Sequence, residues 1–253
     1  MNRTGLLIAL AIAAFVGLVF GLYPELDLKI AALFFDPASK RFVQNAYPWL
    51  GPIREAAMWL VTAFATPPVV AILLKVARPR APMFMPGRAV LFLLATLALG
   101  PGLIVNAVLK EEWGRSRPID VPQLGGAESF TPWWDPRGVC EKNCSFVSGD
   151  GAAAFWTVAP AVLAPPAWRP VAVGAALAFG AGVSVLRMAF GGHFLTDVVF
   201  AGVFMFLTIW LAHGLIYRWP RTRLTDETIE RWQERTILPV HRAVAAMLGR
   251  RGG

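Results

Sequence analysis

Long apolar runs constrain the fold of this chain most strongly, because about 20 consecutive apolar residues suffice to cross a bilayer. Six runs occur along the sequence, at residues 5–22, 53–76, 89–109, 151–164, 171–188 and 196–217. The fourth is short and ends at two consecutive prolines. Charged residues make up 16% of the 253 residues, whereas soluble domains carry about 25%. The sequence therefore predicts an all-α polytopic membrane protein with a bundle of six transmembrane helices.

Basic residues are concentrated in the segments that follow the second, fourth and sixth runs. The first segment holds Lys75, Arg78, Arg80 and Arg88, the next holds Arg169, and the chain beyond residue 217 holds eight arginines. Because positively charged loops stay on the cytoplasmic side, we expect both termini in the cytoplasm. The net charge of +8 then reflects topology and attraction to lipid headgroups, and we expect no nucleic-acid partner.

Two segments outside the six runs are predicted to form further helices. Residues 26–35 alternate apolar and charged side chains, and we expect them on the outer membrane face. Residues 218–253 form a basic amphipathic tail, separate from a membrane domain at residues 1–217. Its apolar stripe comprises Ile229, Trp232, Ile237, Val240, Val244 and Met247. Such a helix suits an anionic inner leaflet, and a solvated tail is the alternative.

Both cysteines, Cys140 and Cys144, lie in one polar loop on the non-cytoplasmic side of this topology. A zinc site needs about four ligands, and no second Cys/His pair lies near them, so we expect no metal. In an oxidising compartment the two thiols are expected to form a short-loop disulfide. Two free thiols are the alternative.

Ionisable residues cluster at the non-cytoplasmic ends of the apolar runs, where charged groups are costly and tend to be functional or paired. Lys110, Arg117 and Arg187 supply positive charge and many N–H donors, which suits phosphate oxygens. Ser148 and Gly149 precede a helix, so their N–H groups and the helix dipole are expected to face an anion. Each feature alone also fits a membrane-edge charge or a helix cap.

His193 and Asp197 are spaced i, i+4 near the start of the sixth run. On a helix they share a face. The carboxylate is then expected to accept a hydrogen bond from one ring nitrogen and leave the other free to attack, which makes His193 a nucleophile with an orienting partner. Three cations would also spread the negative charge of a five-coordinate phosphorus. A satisfied surface pair is the alternative.

Three motifs combine these residues in order along the chain. They read Lys110-EEWGRS-Arg117-Pro118, Val147-Ser148-Gly149-Asp150 and Arg187-MAFGG-His193-FLT-Asp197. The combination resembles the type 2 phosphatidic acid phosphatase superfamily, which also includes vanadium haloperoxidases. The resemblance implies a six-span lipid phosphatase without a metal or other cofactor. Its phosphate site would comprise Lys110, Arg117, Ser148, Gly149 and Arg187. His193 would form a phosphohistidine, Asp197 would orient it, and water would release phosphate.

Asp150 departs from the family pattern, in which a histidine after Ser-Gly serves as the general acid. Neighbouring arginines stabilise an ionised carboxylate, which makes Asp150 a poor proton donor. Three explanations are open. Asp150 stays protonated because it is desolvated, the leaving group needs little help, as in a pyrophosphate, or Asp150 is a structural acid in the first helical turn.

The block from Cys140 to Asp150 resembles bacterial members that dephosphorylate lipid A at its 1 or 4′ position. Phosphatases of undecaprenyl pyrophosphate and phosphatidylglycerophosphate share the same core. The resemblance implies an inner (plasma) membrane protein with a periplasmic active site, a lipid phosphate substrate, contacts with membrane lipids and no obligate protein partner. A lipid phosphotransferase using the same phosphohistidine is one alternative. A non-catalytic lipid-phosphate binding or transport protein is the other.

Overall fold

The computed structural model describes residues 2–249, and its secondary structure is almost entirely helical. In chain order the α-helices are α1 (Arg3–Leu22), α2 (Glu25–Ala32), α3 (Val43–Ala46), α4 (Leu50–Ala77), α5 (Gly87–Leu97), α6 (Lys110–Glu112), α7 (Gly149–Trp156), α8 (Val158–Val162), α9 (Arg169–Ala189), α10 (Leu195–His213) and α11 (Asp226–Gly249). The π-helical segments Ala98–Leu109 and Gly214–Arg218 continue α5 and α10, and Pro118–Asp120 and Pro122–Leu124 are 3₁₀ turns. The strands β1 (Phe35–Asp36) and β2 (Arg41–Phe42) pair antiparallel.

Five helical stretches within residues 2–249 are long and apolar enough to cross a membrane. They are α1, α4, α5 with its continuation to Glu112, α9, and α10 with its continuation to Arg218. The predicted all-α polytopic fold is confirmed. The fourth predicted run differs, because residues 149–162 form the two short helices α7 and α8.

The break between α7 and α8 lies at Thr157, three residues before Pro160. Proline lacks an N–H group, so residue 160 cannot bond to the carbonyl of Trp156. Thr157 instead donates both its N–H and its hydroxyl to the Ala154 carbonyl. Residues 149–162 rise about 21 Å at most at 1.5 Å each, less than the roughly 30 Å of a hydrocarbon core. This stretch is therefore a short inner element of the bundle.

The short helix α7 packs in the centre of the bundle, against α9 and α10. Trp156 is fully buried and donates its indole N–H to Thr96 Oγ1 at 3.0 Å. On α9, a Cβ at Gly180 would lie 2.3 Å from Phe155 Cδ1, so only glycine allows this close approach. The approach brings the end of α9 beside the start of α7.

The third run changes from α to π geometry at Ala98, three residues before Pro101. Proline inside a helix removes a backbone donor and clashes with the carbonyl four residues earlier, and a wider turn accommodates it. The side-chain amide of Asn106 donates to the Pro101 carbonyl at 2.7 Å. The helical segment therefore continues without interruption to Lys110.

The helix α2 was expected on the outer membrane face, and its charged side chains differ in environment, since Glu25 and Lys29 are exposed and Asp27 is buried. Asp27 on α2 is 1% exposed and contacts residues at the start of α10. The alternation of apolar and charged residues predicted a surface helix here, but one of its charged side chains faces inward. Its carboxylate is satisfied by a buried arginine, Arg115.

The C-terminal helix α11 packs where α4 ends and α5 begins. Asp226 accepts from the Arg88 N–H at 2.8 Å and pairs with its guanidinium at 3.0 Å. Glu234 pairs with the buried Lys75 Nζ at 3.0 Å. Within the predicted apolar stripe, Ile229 is buried and Trp232 is exposed. The side chains of Val240, Val244 and Met247, and residues 250–253, lie outside the described residues.

Candidate active site

Several helix ends meet at one end of the bundle, which we call the site end. Lys110 follows the π-helical end of the third run, Arg187 lies in the last turn of α9, and Arg54 lies in the first turns of α4. Ser148 caps α7, and Asp197 lies in the first turn of α10. Helix N-termini carrying partial positive charge and three basic side chains thus share one region.

Asn143 holds two of the predicted phosphate-binding cations. Its side-chain oxygen accepts from Lys110 Nζ at 2.9 Å, and its backbone carbonyl accepts from Arg117 Nη2 at 2.6 Å. Asn143 has a φ of 51°, a left-handed conformation that asparagine adopts more readily than most residues. Cys140 and Cys144 form a disulfide that closes the loop around it. The cysteine loop therefore positions Lys110 and Arg117.

The start of α7 is fixed by Ser148. Its Oγ accepts from the Gly151 N–H at 3.1 Å, and its own N–H donates to the Asp197 carbonyl at 3.3 Å. Both bonds engage Ser148 within the fold, so the phosphate contact predicted for it would come from the hydroxyl proton alone. The Gly149 N–H, at the first position of α7, has no acceptor within the helix. A Cβ at residue 149 would lie 3.2 Å from Lys110 Nζ, so glycine keeps Lys110 close.

His193 is 1% exposed and lies in the turn between α9 and α10. Its Nδ1 is 2.7 Å from the Ser145 carbonyl. A carbonyl oxygen only accepts, so Nδ1 carries the proton and Nε2 retains its lone pair. Burial lowers the pKa of His193 well below its ordinary value, and the charges of Arg187, Lys110 and Arg117 lower it further. The imidazole is therefore neutral at pH 7, with a free Nε2 among three cations.

Asp197 is fully buried and does not bond directly to His193. Its Oδ2 lies 3.9 Å from His193 Nδ1, and accepts instead from Ser145 Oγ at 2.5 Å and from the Phe194 N–H at 2.8 Å. Its Oδ1 accepts from Arg115 Nη1. The direct Asp197–His193 hydrogen bond expected from the spacing is replaced by a relay. Asp197 fixes Ser145, and the Ser145 carbonyl fixes the imidazole.

Arg115 is fully buried and joins Asp197 to α2. Its Nη2 donates to Asp27 Oδ2 at 2.8 Å, its Nη1 donates to Thr196 Oγ1 at 2.7 Å, and its Nε donates to the Thr131 carbonyl at 3.0 Å. Asp27 also accepts from the N–H and hydroxyl of Thr196, at 3.1 and 2.6 Å. Burial alone would lower the pKa of Arg115, but Asp197 and Asp27 outweigh it and raise that pKa.

Asp150 lies between two guanidinium groups. Its Oδ2 is 2.6 Å from Arg54 Nε and 3.4 Å from Arg187 Nε. The Arg187 side chain is 13% exposed, and its Nε makes no hydrogen bond with any residue that the structure describes. A Cβ at Gly192, next to His193, would lie 2.7 Å from Arg187 Nη2. Arg187 therefore lies beside the imidazole, and its Nε is in an ion pair with Asp150 without forming a hydrogen bond.

No group of three or more His, Cys, Asp or Glu side chains within residues 2–249 has the geometry to hold a metal ion. Two acids of the site end are each bonded to a basic group: Asp197 to Arg115, and Asp150 to Arg54. The described site is thus suited to an anion.

The site places a neutral histidine among cations, and three spaced motifs supply these residues. This combination identifies a family. The sequence pattern of the PAP2 superfamily matches residues 89–223, more than half of the chain. The chain belongs to the PAP2 superfamily. This match confirms the resemblance that the motifs predicted. The matched range includes the predicted site residues, from Lys110 to Asp197, and excludes Asp27 and Arg54.

Three curated relatives extend the similarity beyond that range. A lipid A 4′-phosphatase of Francisella tularensis subsp. novicida is 34% identical over 221 residues, covering 86% of this chain and 98% of the relative. A lipid A 4′-phosphatase of Rhizobium leguminosarum is 35% identical and covers 72% of this chain and 83% of its own. One from Rhizobium etli is 40% identical over 105 residues, 42% of this chain and 41% of its own. No solved structure matches the chain.

Five residues that shape this PAP2 site were not singled out from the sequence: Asp27, Arg54, Arg115, Asn143 and Ser145. Arg54 and Asp27 carried a usable signal, because a charge within an apolar or amphipathic membrane segment tends to be paired. Arg115 lies inside the first motif, where only the terminal lysine and arginine drew attention. Asn143 and Ser145 act partly through backbone carbonyls, which no side-chain pattern reveals.

Proposed function

We propose that this protein is a membrane lipid phosphatase that removes the 4′-phosphate of lipid A through a phosphohistidine on His193. Two relatives named for that activity align with more than two thirds of this chain. Other lipid phosphates with the same headgroup charge are alternative substrates. Phosphoryl transfer to a second lipid is the alternative reaction.

The state of His193 carries this proposal. The Ser145 carbonyl accepts from Nδ1 at 2.7 Å, so the lone pair of Nε2 is the one available for attack. Burial and three cations keep the free imidazole neutral. A protonated imidazole is not a nucleophile, so the cations that bind phosphate also preserve the reactive form.

In the first step Nε2 attacks phosphorus, and the bond from phosphorus to the sugar oxygen breaks. Negative charge on the equatorial oxygens is stabilised by Lys110, Arg117 and Arg187. The guanidinium of Arg187, whose buried Nε lies 3.4 Å from Asp150 without forming a hydrogen bond, supplies one such donor. The Gly149 N–H at the start of α7 supplies another.

Asp150 is the site residue that departs from the family pattern. Its Oδ2 is engaged by two guanidinium groups at 2.6 and 3.4 Å, and we assign it no donation of a proton to the leaving group. The leaving sugar oxygen then takes its proton from water. In the second step water attacks the phosphohistidine and gives a proton to the carboxylate of Asp150, while the bond from phosphorus to His193 Nε2 breaks and phosphate is released.

We further propose that the site end faces the periplasm of a bacterial inner membrane and that both termini are cytoplasmic. Arg54 and Lys75 lie 21 residues apart on α4, about 31 Å at 1.5 Å per residue. Lys75 and Arg88 contact α11, so the basic tail lies at the end away from the site. This charge asymmetry supports the orientation. The disulfide at the site end fits an oxidising compartment.

The short α7–α8 stretch is compatible with this orientation. Its start lies at the site end, at Ser148, and α9 returns to the site end at Arg187. Arg169 and Arg187 are 18 residues apart on α9, about 27 Å along the axis. The chain from α7 to the start of α9 thus passes from one end of the bundle to the other.

The test supplies purified protein in detergent with lipid A phosphorylated at both the 1 and 4′ positions. We expect inorganic phosphate release and a product lacking only the 4′-phosphate by mass spectrometry. Radiolabelled substrate, quenched rapidly, should leave acid-labile phosphate on the wild type and none on His193→Ala. A chelator should not change the rate.

Parallel reactions use undecaprenyl pyrophosphate, phosphatidylglycerophosphate and phosphatidate. Faster phosphate release from any of these would replace lipid A as the substrate. Labelled phosphate that appears on a second lipid rather than in solution would establish phosphotransfer. Lipid-phosphate binding with no release, and full biological activity of His193→Ala, would establish a binding or transport protein instead.

A further inference from the structure

An apolar groove with a volume of about 400 Å³ lies between α4, α8 and α9. Small side chains leave it open, among them Ala161 on α8 and Ala175 and Ala176 on α9, and Phe64 and Phe179 form aromatic walls. Its volume falls within the range of ligand pockets, about 300–1,000 Å³. No charged side chain lines it.

The groove lies on helices that also carry side chains of the candidate active site, at a greater depth in the bundle. Its walls belong to helices that carry Arg54 and Arg187 at the site end, where both contact Asp150. Leu60 lies six residues from Arg54 on α4, and Phe179 lies eight residues from Arg187 on α9. At 1.5 Å per residue along each helix, the groove wall begins about 9 Å from Arg54 and about 12 Å from the phosphate cation Arg187.

The groove also opens sideways to the hydrocarbon. Leu60 and Phe64 are 44% and 43% exposed, and Ala175 is exposed. A lipid phosphate that reaches the cations from the membrane carries its acyl chains at this depth. Lipid tails are as apolar as the protein surface, so occupancy gains little from the hydrophobic effect. Occupancy instead orients the substrate, because an acyl chain held in the groove fixes the position of the headgroup relative to His193.

We propose that this groove binds one acyl chain of the lipid phosphate substrate and so positions the phosphate for attack. The inference rests on the proposed lipid phosphatase function and adds the subsite for the apolar part of the substrate. No local pattern reveals the groove, because its walls combine α4 with α8 and α9, and Phe64 and Ala161 lie 97 positions apart in the chain.

The kinetic test fills the groove and compares two substrates. Ala175→Leu adds volume at an exposed position in the groove, and Ala181→Leu makes the same change on α9 at an exposed position that does not line it. For Ala175→Leu we expect kcat/KM on long-chain lipid A to fall about tenfold. Activity on p-nitrophenyl phosphate, which has no acyl chain, should stay within twofold. Ala181→Leu should match the wild type on both.

A second measurement is independent of turnover. Wild-type protein is mixed with lipid A that carries a photoreactive group midway along an acyl chain, irradiated and digested. We expect labelled peptides from α4, α8 and α9, and less labelling in Ala175→Leu.

Equal rates for wild type and Ala175→Leu on the lipid, or labelling confined to other helices, would overturn the inference while the phosphatase function stands. Equal losses on both substrates would also overturn it. Groove labelling without phosphate release from the wild type would retain the subsite and reject the proposed function. Crosslinking of this face to a second copy of the chain, in place of lipid labelling, would make the groove an interface.

Discussion

Asp27 and Asp197 offer a matched pair of substitutions, because both buried carboxylates accept from the same guanidinium of Arg115. They are 1% and 0% exposed and each also bonds to the first turn of α10 or the residue before it. They differ in one respect. Asp197 alone accepts from Ser145 Oγ, and so reaches the residue whose carbonyl holds His193. Replacing each by asparagine separates stability from positioning of the nucleophile.

The expected effect on stability is similar for the two variants. Asn in place of either acid removes one charge-assisted hydrogen bond but leaves Arg115 paired with the other carboxylate. A hydrogen bond to a charged group contributes about 1.5–3 kcal/mol. The full 3–5 kcal/mol cost of an uncompensated buried charge does not apply. Both variants should therefore unfold at a lower temperature than the wild type in detergent, by comparable amounts.

The expected effect on catalysis is different. Asparagine at 197 has one acceptor oxygen where Asp197 uses two, so Ser145, Phe194 and Arg115 cannot all remain bonded. A displaced Ser145 shifts the imidazole, and a misplacement of about 1 Å costs roughly 10²-fold in rate. We expect kcat of Asp197→Asn to fall about a hundredfold, and kcat of Asp27→Asn to change less than about threefold. Phosphate release at saturating substrate measures both.

Equal losses of kcat in the two variants would refute the relay through Ser145 and reduce Asp197 to a structural role. A kcat of Asp197→Asn close to that of the wild type would do the same. The thermal unfolding of both proteins serves as the control, because it shows whether the compared samples are equally folded.

Three further predictions concern the site end. Asp150→Asn should slow phosphate release about a hundredfold, as expected for loss of a general base, and accumulate phosphohistidine. Asp150→Asn should retain more activity than His193→Ala, which should form no phosphohistidine. Equal, near-complete losses of activity in the two variants would make Asp150 a proton donor. The pKa of His193 is depressed in the folded state, so the unfolded chain binds a proton at higher pH than the folded protein does. The free energy of unfolding should therefore decline as pH falls below about 6.5. Nitrogen NMR should show a neutral His193 in the folded protein just below that pH, and protonation near 6.5 would contradict the effect of burial. The Cys140→Ser, Cys144→Ser double variant frees the loop around Asn143 and should raise KM more than it lowers kcat, whereas an unchanged KM would remove the loop from phosphate binding.

The fourth apolar run shows most clearly which features a local sequence pattern predicts and which features depend on tertiary structure. Composition predicted a helix there, and a helix forms, but hydropathy could not reveal that Pro160 divides it into two pieces too short to span a bilayer by themselves. The same limit applies to α2. Its alternating pattern predicted a surface helix, whereas Asp27 faces inward because Arg115, 88 residues away, meets it there.

The sequence by itself determined that this chain folds in a membrane, where most of its helices begin and end, and which motif residues belong to the candidate site. These features depend on apolar length and on spacing along one chain segment, and both are local. Only the tertiary structure decided that His193 donates to the Ser145 carbonyl, that Asp197 reaches His193 through Ser145, and that Arg54 contacts Asp150. Such contacts join positions 48 to 96 residues apart, and only the packing of helices brings those positions together.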